Sequence, residues 1–376
     1  MKIVLAPDSF KESLTSPEAT HIMKQAIQSL KHDDHIIQKP MADGGEGTVD
    51  ALISAANGKK IPIKCTGPLG QKIETYYAII DSNTAVIEIA NIAGLSQVSV
   101  EHRNPDHTTT YGLGEAIKDA LDRGCTDFII GLGGSATNDA GLGMLTALGM
   151  EAFDHQGRKV GICGRDLLDV ARINFDNVEP RLKKIRLKVA CDVNNPLTGK
   201  NGASAVFGPQ KGASPRQISA YDEAMENFAR LLDPNHSFSK RAGAGAAGGL
   251  GFALLLLNAE LLSGAQLVGE AIQVEKAIQL ADLVITGEGQ SDEQTLNGKA
   301  PGFIADLAHK HHVPVILISG SLKGNLDLLL EKFTACFSII HQPLTIEECI
   351  EQAQPLLYQQ TKQVMNLVHH LKSANL

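Results

Sequence analysis

Apolar positions along this chain fall into two alternating patterns. Short β-branched runs are separated by longer stretches in which apolar residues recur every three or four positions. Lys2-Ile3-Val4-Leu5-Ala6 reads as a buried strand. Ser16 reads as the N-cap of a helix with Pro17 at its first position, and Ala19, Ile22, Met23, Ala26, Ile27 and Leu30 form its apolar face. Strand, loop and helix repeat at residues 35–40, 41–47 and 48–56. From 61 to 100 the period changes to two. Residues 76–80 and 85–89 flank Asp81-Ser82-Asn83-Thr84, which predicts a hairpin with a four-residue turn. The strand–helix rhythm returns at 112–148, with a strand at 127–132. A further strand is expected at 187–191, and three more at 282–287, 313–320 and 333–340.

Strands alternating with helices imply a parallel sheet with right-handed crossovers. The hairpin does not suit such a sheet. Two domains are therefore expected. One is a parallel α/β domain made of residues 1–60, 105–150 and 280–376. The other is a mixed α/β domain, residues 61–104 and 151–279, inserted into it. An active-site cleft is expected between them.

Composition changes this picture only by exclusion. Apolar residues make up 43% and charged residues 20%, ordinary for a globular enzyme. The net charge of −8 argues against nucleic acid as a partner. The nearest thing to a basic run, Lys183-Lys184-Ile185-Arg186, reads as a solvated helix-to-strand connection. Six scattered cysteines contain no C-x-x-C pair, so neither a zinc site nor a redox dithiol is suggested. Lys2 is followed by only five uncharged residues before Asp8, too few for a secretory leader. Residues 242–259 carry no charge but hold five glycines. A membrane span needs about 20 predominantly apolar residues. A cytoplasmic protein without a membrane partner is expected. Nothing in the sequence sets the oligomeric state.

In parallel α/β sheets, ligands bind beyond the carboxyl ends of the strands. Five expected strand ends carry acidic, glycine-rich or amide-rich loops. They are Asp8-Ser9 to Ser13; Asp43-Gly44-Gly45-Glu46; Gly131-Leu132-Gly133-Gly134-Ser135 through Asn138-Asp139; Asp192-Val193-Asn194-Asn195; and Gly287-Glu288-Gly289 through Asp292. Taken singly, each is an ordinary turn with a cap. Together they suggest one phosphate-handling site. Glycines let backbone N–H groups approach an oxyanion. Carboxylates among those amides tolerate phosphate only with a cation between them, and Mg²⁺ prefers one or two carboxylates plus phosphate oxygens. Lys11 and Lys299 could neutralise charge during phosphoryl transfer. Standard motifs are absent. There is no P-loop, no G-x-S-x-G elbow and no H-E-x-x-H. Gly243-Ala-Gly245-Ala-Ala-Gly248 matches G-x-G-x-x-G but follows no expected strand, which leaves close helix packing or a substrate- or phosphate-facing loop. His309, His311 and His312 read as a solvated helix end.

These loops resemble blocks of the bacterial glycerate kinases that lack a P-loop. The blocks are residues 2–14, 41–48, 131–141, 191–197, 243–251, 286–292 and Gly298-Lys299-Ala300-Pro301. The resemblance implies ATP-dependent phosphorylation of D-glycerate, with 2-phosphoglycerate as the expected product. It also implies a flavodoxin-like parallel-sheet domain with a second mixed α/β domain inserted. Residue roles are assigned here on chemistry. Asp192, then Asp8, would accept the hydroxyl proton, and Lys11 and Lys299 would stabilise the transferring phosphoryl group or bind the glycerate carboxylate. Asp43, Glu46 and Asp292 would hold Mg²⁺ or its waters. Ser9, Ser13, Gly44, Gly45, Gly131, Gly133, Gly134, Ser135, Asn138, Asn194, Gly289 and Lys299 would bind substrate or phosphate. A kinase of another hydroxy acid or sugar acid, and a non-catalytic sugar-acid sensor, are the rival readings.

Overall fold

The computed structural model describes residues 1–10, 12–42, 48–56, 58–296 and 298–374. Two compact units divide the chain: Met1–Asp43 with Asp50–Asn57 and Gly264–Leu376, and Gly44–Val49 with Gly58–Ser263.

The first unit holds a five-stranded sheet, all of whose neighbours are parallel. Its order is Ala335–Ser338, Val315–Ser319, Leu283–Thr286, Lys2–Leu5, His35–Gln38. In the order the strands occur within this unit, that is 2-1-3-4-5, the flavodoxin-like arrangement. Leu283–Thr286 and Val315–Ser319 are buried at every position. Helices cover both faces of such a sheet, so its central strands read as continuous apolar runs rather than alternating ones. Ile22, Met23 and Ile27 of helix Ser16–Gln28 share one core with Leu357, Val364 and Met365 of helix Ala353–Ala374. The N-cap is Thr15, not the expected Ser16. Thr15 and Glu18 form a capping box, while the Ser16 hydroxyl donates to the Pro7 carbonyl at 2.7 Å.

The second unit holds a six-stranded mixed sheet. Glu260–Leu262, Arg186–Ala190, Asp127–Gly131 and Thr84–Glu88 lie parallel, and Lys72–Ile80 and Lys59–Thr66 extend it antiparallel. The expected hairpin is present, with a shorter turn: Asp81 and Ser82 adopt φ of 51° and 67°, and the second strand already resumes at Thr84. Contrary to the expected discord, its second strand joins a parallel ladder directly.

That pairing corrects the domain assignment. Phe128 lies opposite Ala85 and Leu187, and Ile130 opposite Ile87 and Val189. Residues 105–150 therefore belong with the second unit rather than with the flavodoxin-like one. A βα rhythm announces a parallel strand but not the sheet that receives it. Residues 264–279, expected in the inserted domain, fall instead in the first unit. There Lys39 donates to the Ile272 carbonyl at 2.6 Å. Among the described residues no helix is long and apolar enough to cross a membrane.

Candidate active site

The five strand-end loops expected to form one edge are distributed over two sheets. Those after Lys2–Leu5, His35–Gln38 and Leu283–Thr286 belong to the first unit. Those after Asp127–Gly131 and Arg186–Ala190 belong to the second. Lys11, Asp43, Gly44, Gly45 and Glu46 lie outside the described residues.

In the first unit, main-chain hydrogen bonds tie neighbouring loops together. Asp8 N–H donates to the Gly287 carbonyl at 2.8 Å, and Gly320 N–H donates to the Glu288 carbonyl at 2.9 Å. Asp8 is almost wholly buried, and its carboxylate accepts from Ser9 N–H at 2.6 Å. The Ser13 hydroxyl is used locally, donating to the Phe10 carbonyl. Glu288 is the centre of this loop set. Its Oε1 accepts from Ser291 Oγ at 3.0 Å and Thr295 Oγ1 at 2.6 Å, and its Oε2 lies 3.7 Å from Lys299 Nζ. Lys299 is half-exposed and precedes helix Ala300–Lys310. One carboxylate oxygen of Asp292 accepts from Gln294 N–H at 2.8 Å, and the other has no hydrogen bond among the described residues. The carbonyl of Gly289 accepts from Ser321 N–H at 3.0 Å. No group of three or more metal-ligating side chains occurs among the described residues. A Mg²⁺ ion held mainly by phosphate and water needs only one or two carboxylates, and Asp292 offers one open oxygen. The donor set therefore fits such an ion.

In the second unit, the loop after Asp127–Gly131 is the most ordered arrangement of polar groups. Gly131 is buried at the strand end, Gly133 is half-buried and Gly134 exposed. Ser135 lies 6% exposed. Lys211, at 2% exposure, donates to Ser135 Oγ at 3.0 Å and to the Thr137 carbonyl at 2.6 Å. Burial pushes the Lys211 amine down to about 7, partly opposed by the nearby Asp139 charge. Asn138 Nδ2 donates to Ser204 Oγ at 3.0 Å. Asp139 is fully buried and accepts from Thr110 N–H, Thr110 Oγ1, Gly141 N–H and Gly143 N–H. Burial raises its carboxyl. Thr110 Oγ1 also accepts from Met144 N–H. The hydrogen bonds from Thr110, Gly141 and Gly143 act against that rise and favour the carboxylate.

The glycine-rich segment 243–249 packs on this loop. Helix Ala246–Leu256 is kinked, and Gly248 adopts φ of +70°. Gly248 accepts from Ala140 N–H through its carbonyl, and a Cβ there would stand 2.1 Å from the Thr137 oxygen. The close-packing alternative for the G-x-G-x-x-G match is therefore the one the structure supports. Gly248→Ala is expected to destabilise the protein by about 2–3 kcal/mol, the cost of a strained left-handed residue forced against backbone. A urea midpoint equal to that of the parent would contradict this close approach.

Asp192 and Asn194 follow the strand Arg186–Ala190 and are exposed. The loop is anchored behind them, where Cys191 N–H donates to the Leu262 carbonyl and Asn195 accepts from Gly245 N–H. A cavity of about 460 Å³ lies by the end of Thr84–Glu88, lined by Gln71, Glu74, Thr75, Asn91, Ser96 and Gln97 among others. Among the described residues no lysine, arginine or histidine lines it, which makes it a poor anion site.

Sequence reasoning passed over Lys211, Glu288 and Asp139. Lys211 is enclosed by Gly208-Pro209 and Gly212, a tight turn that holds a lysine near the chain's own carbonyls. That punctuation was the available signal. Glu288 and Asp139 sat inside loops already singled out, flanked by the very glycines and serines that bind them.

The Glycerate kinase family model matches residues 3–369. The chain is 43% identical to a glycerate kinase of Haemophilus influenzae, over 98% of this chain and 99% of that protein. It is 45% identical to a glycerate kinase of Bacillus subtilis and 43% identical to a glycerate 2-kinase of Escherichia coli, each over 94% of both chains. A crystal structure of a putative glycerate kinase 2 from Salmonella typhimurium LT2 superposes with a TM-score of 0.90, at 42% identity, covering 99% of each chain.

Proposed function

The chain belongs to the glycerate kinase family, a family of enzymes that phosphorylate glycerate, and from that premise we propose that it transfers the γ-phosphoryl group of ATP to D-glycerate with Mg²⁺. The observation that carries this reading is the family match over residues 3–369. The strand-end loops supply chemistry suited to it.

In the proposed reaction a glycerate hydroxyl oxygen attacks the γ-phosphorus. A new P–O bond forms, the bond to the ADP oxygen breaks, and the hydroxyl proton passes to a carboxylate. Asp192 is the proposed acceptor, being solvent-exposed beyond a parallel strand. Lys299, held beside Glu288, would stabilise charge on the transferring group. Ser135 and the Gly131–Gly133–Gly134 backbone would donate to substrate or phosphate oxygens. Mg²⁺, held by Asp292 with Asp43 or Glu46, would neutralise the charge that develops on the phosphate oxygens. Transfer to the 2-hydroxyl is the proposed outcome, in keeping with the name of the Escherichia coli relative.

A coupled assay for ADP release is expected to respond to D-glycerate and not to L-glycerate, glycerol or hydroxypyruvate. Release with another hydroxy acid alone would replace the substrate assignment. Glycerate binding with no ADP release would instead support a sensor. Phosphorus and carbon NMR of the product is expected to show a phosphate on C2, and a phosphate on C3 would overturn the regiochemistry.

A further inference from the structure

Lys211 sits in a short turn, Pro209–Lys211, with its amine inside the loop that follows Asp127–Gly131. Two of its three possible N–H bonds are made, to Ser135 Oγ and the Thr137 carbonyl. The third has no partner among the described residues. The consequence falls on Ser135. A hydroxyl that accepts from an ammonium directs its own proton elsewhere, and Ser135 retains 6% exposure. In the same loop Thr137 Oγ1 and Asn138 Oδ1 are buried without a hydrogen-bond partner. Buried polar atoms are ordinarily satisfied, so the loop's hydrogen bonding is incomplete among the described residues.

We infer that Lys211 is a positioning residue for phosphoryl transfer, fixing Ser135 as a donor to an anionic oxygen of a bound reactant. This rests on the proposed glycerate kinase reading. The anionic oxygen belongs either to the hydroxy-acid carboxylate or to a nucleotide phosphate.

The arrangement depends on the proton of Lys211. The ammonium donates to Ser135. The neutral amine would instead accept from Ser135 and withdraw its proton from the ligand. Burial holds this group down to about 7. The charged neighbour acting on it is Asp139, which favours the ammonium. The packed helix Ala203–Phe207 and the segment 133–138 carry no charge, and at Gly212 the nearest neighbour is the Arg103 main chain. Binding is therefore strong below that value and weakens as pH rises through it.

The test uses steady-state kinetics of the full-length wild type, Lys211→Met, Lys211→Arg, Ser135→Ala and the Lys211→Met/Ser135→Ala double variant, at pH values on both sides of the lysine's titration. Lys211→Met and Ser135→Ala are each expected to raise one KM by about tenfold or more, as expected for losing a charge-assisted arrangement. The double variant should be no worse than the poorer single one. A rise in the glycerate KM assigns the carboxylate, and a rise in the ATP KM assigns a phosphate. In the wild type that KM should increase with pH, and in Ser135→Ala the increase should vanish. Additive effects, or an unchanged pH dependence in Ser135→Ala, would overturn the inference. So would losses confined to kcat or to thermal stability. If Lys211→Met does not fold, Lys211→Arg, which stays charged, should flatten the pH dependence, and a profile matching wild type would overturn it equally. The wild-type ADP assay is the separate check on the reaction itself: its failure removes the kinase premise, and calorimetric titration of ATP and of D-glycerate into the same variants then reads the same affinity losses, whose absence would overturn the role of Lys211.

Discussion

Asp192→Asn is expected to lower kcat by about 10²–10⁴-fold, the usual contribution of a positioned general base, while KM for glycerate changes little. The substitution is nearly isosteric and removes the capacity to accept a proton. Asp192 is exposed and lies in a loop anchored by main-chain bonds of Cys191 and Asn195. Circular dichroism should therefore still report a folded protein. Asp8 offers a useful contrast. It is almost wholly buried and its carboxylate holds the turn at Ser9, so Asp8→Asn should disturb stability as well as rate. A folded Asp192→Asn variant with near-normal turnover would pass the proton to Asp8 or to another carboxylate.

The parallel fold was legible because it is written in periodicity. Ile3-Val4-Leu5 and Val315–Ser319 are continuous apolar runs because helices cover both faces of their sheet. Sheet membership was not legible. Asp127–Gly131 looks like its counterparts in the first unit, and only its pairing with Thr84–Glu88 and Arg186–Ala190 reveals its place. The loops were visible as acidic, glycine-rich segments at strand ends. Part of their internal bonding was not, where it joins positions far apart in the chain. Lys211 reaches Ser135 across 76 residues, and Asp139 reaches Thr110 across 29. Local patterns indicate that a loop can bind something. They do not report which distant side chain will complete it.

The same distance dependence makes Asp139 the residue whose loss should cost most stability. Asp139→Asn is expected to destabilise the protein by about 3–5 kcal/mol, the range for breaking a buried charge arrangement by removing one partner. Three donors converge on one carboxylate oxygen, Thr110 N–H, Thr110 Oγ1 and Gly143 N–H, and Gly141 N–H meets the other. An asparagine can place its oxygen towards the three, but its NH₂ then faces the Gly141 N–H. One buried donor is left unpaired, at about 1–3 kcal/mol. Lys211 simultaneously loses the negative charge that favours its ammonium. This second effect has a distinct signature. The unfolded lysine binds its proton up to its ordinary value of 10.5, the folded one only up to about 7. Between those values the unfolded state holds more protons, so wild-type stability should rise with pH. In Asp139→Asn the folded lysine titrates lower still, and the rise should begin at lower pH. In Lys211→Met that contribution should disappear. Urea denaturation across the window reads all three chains. A loss under about 1 kcal/mol in Asp139→Asn, against the normal cost of one unpaired buried donor, would mean that the four bonds to Asp139 do not hold this loop.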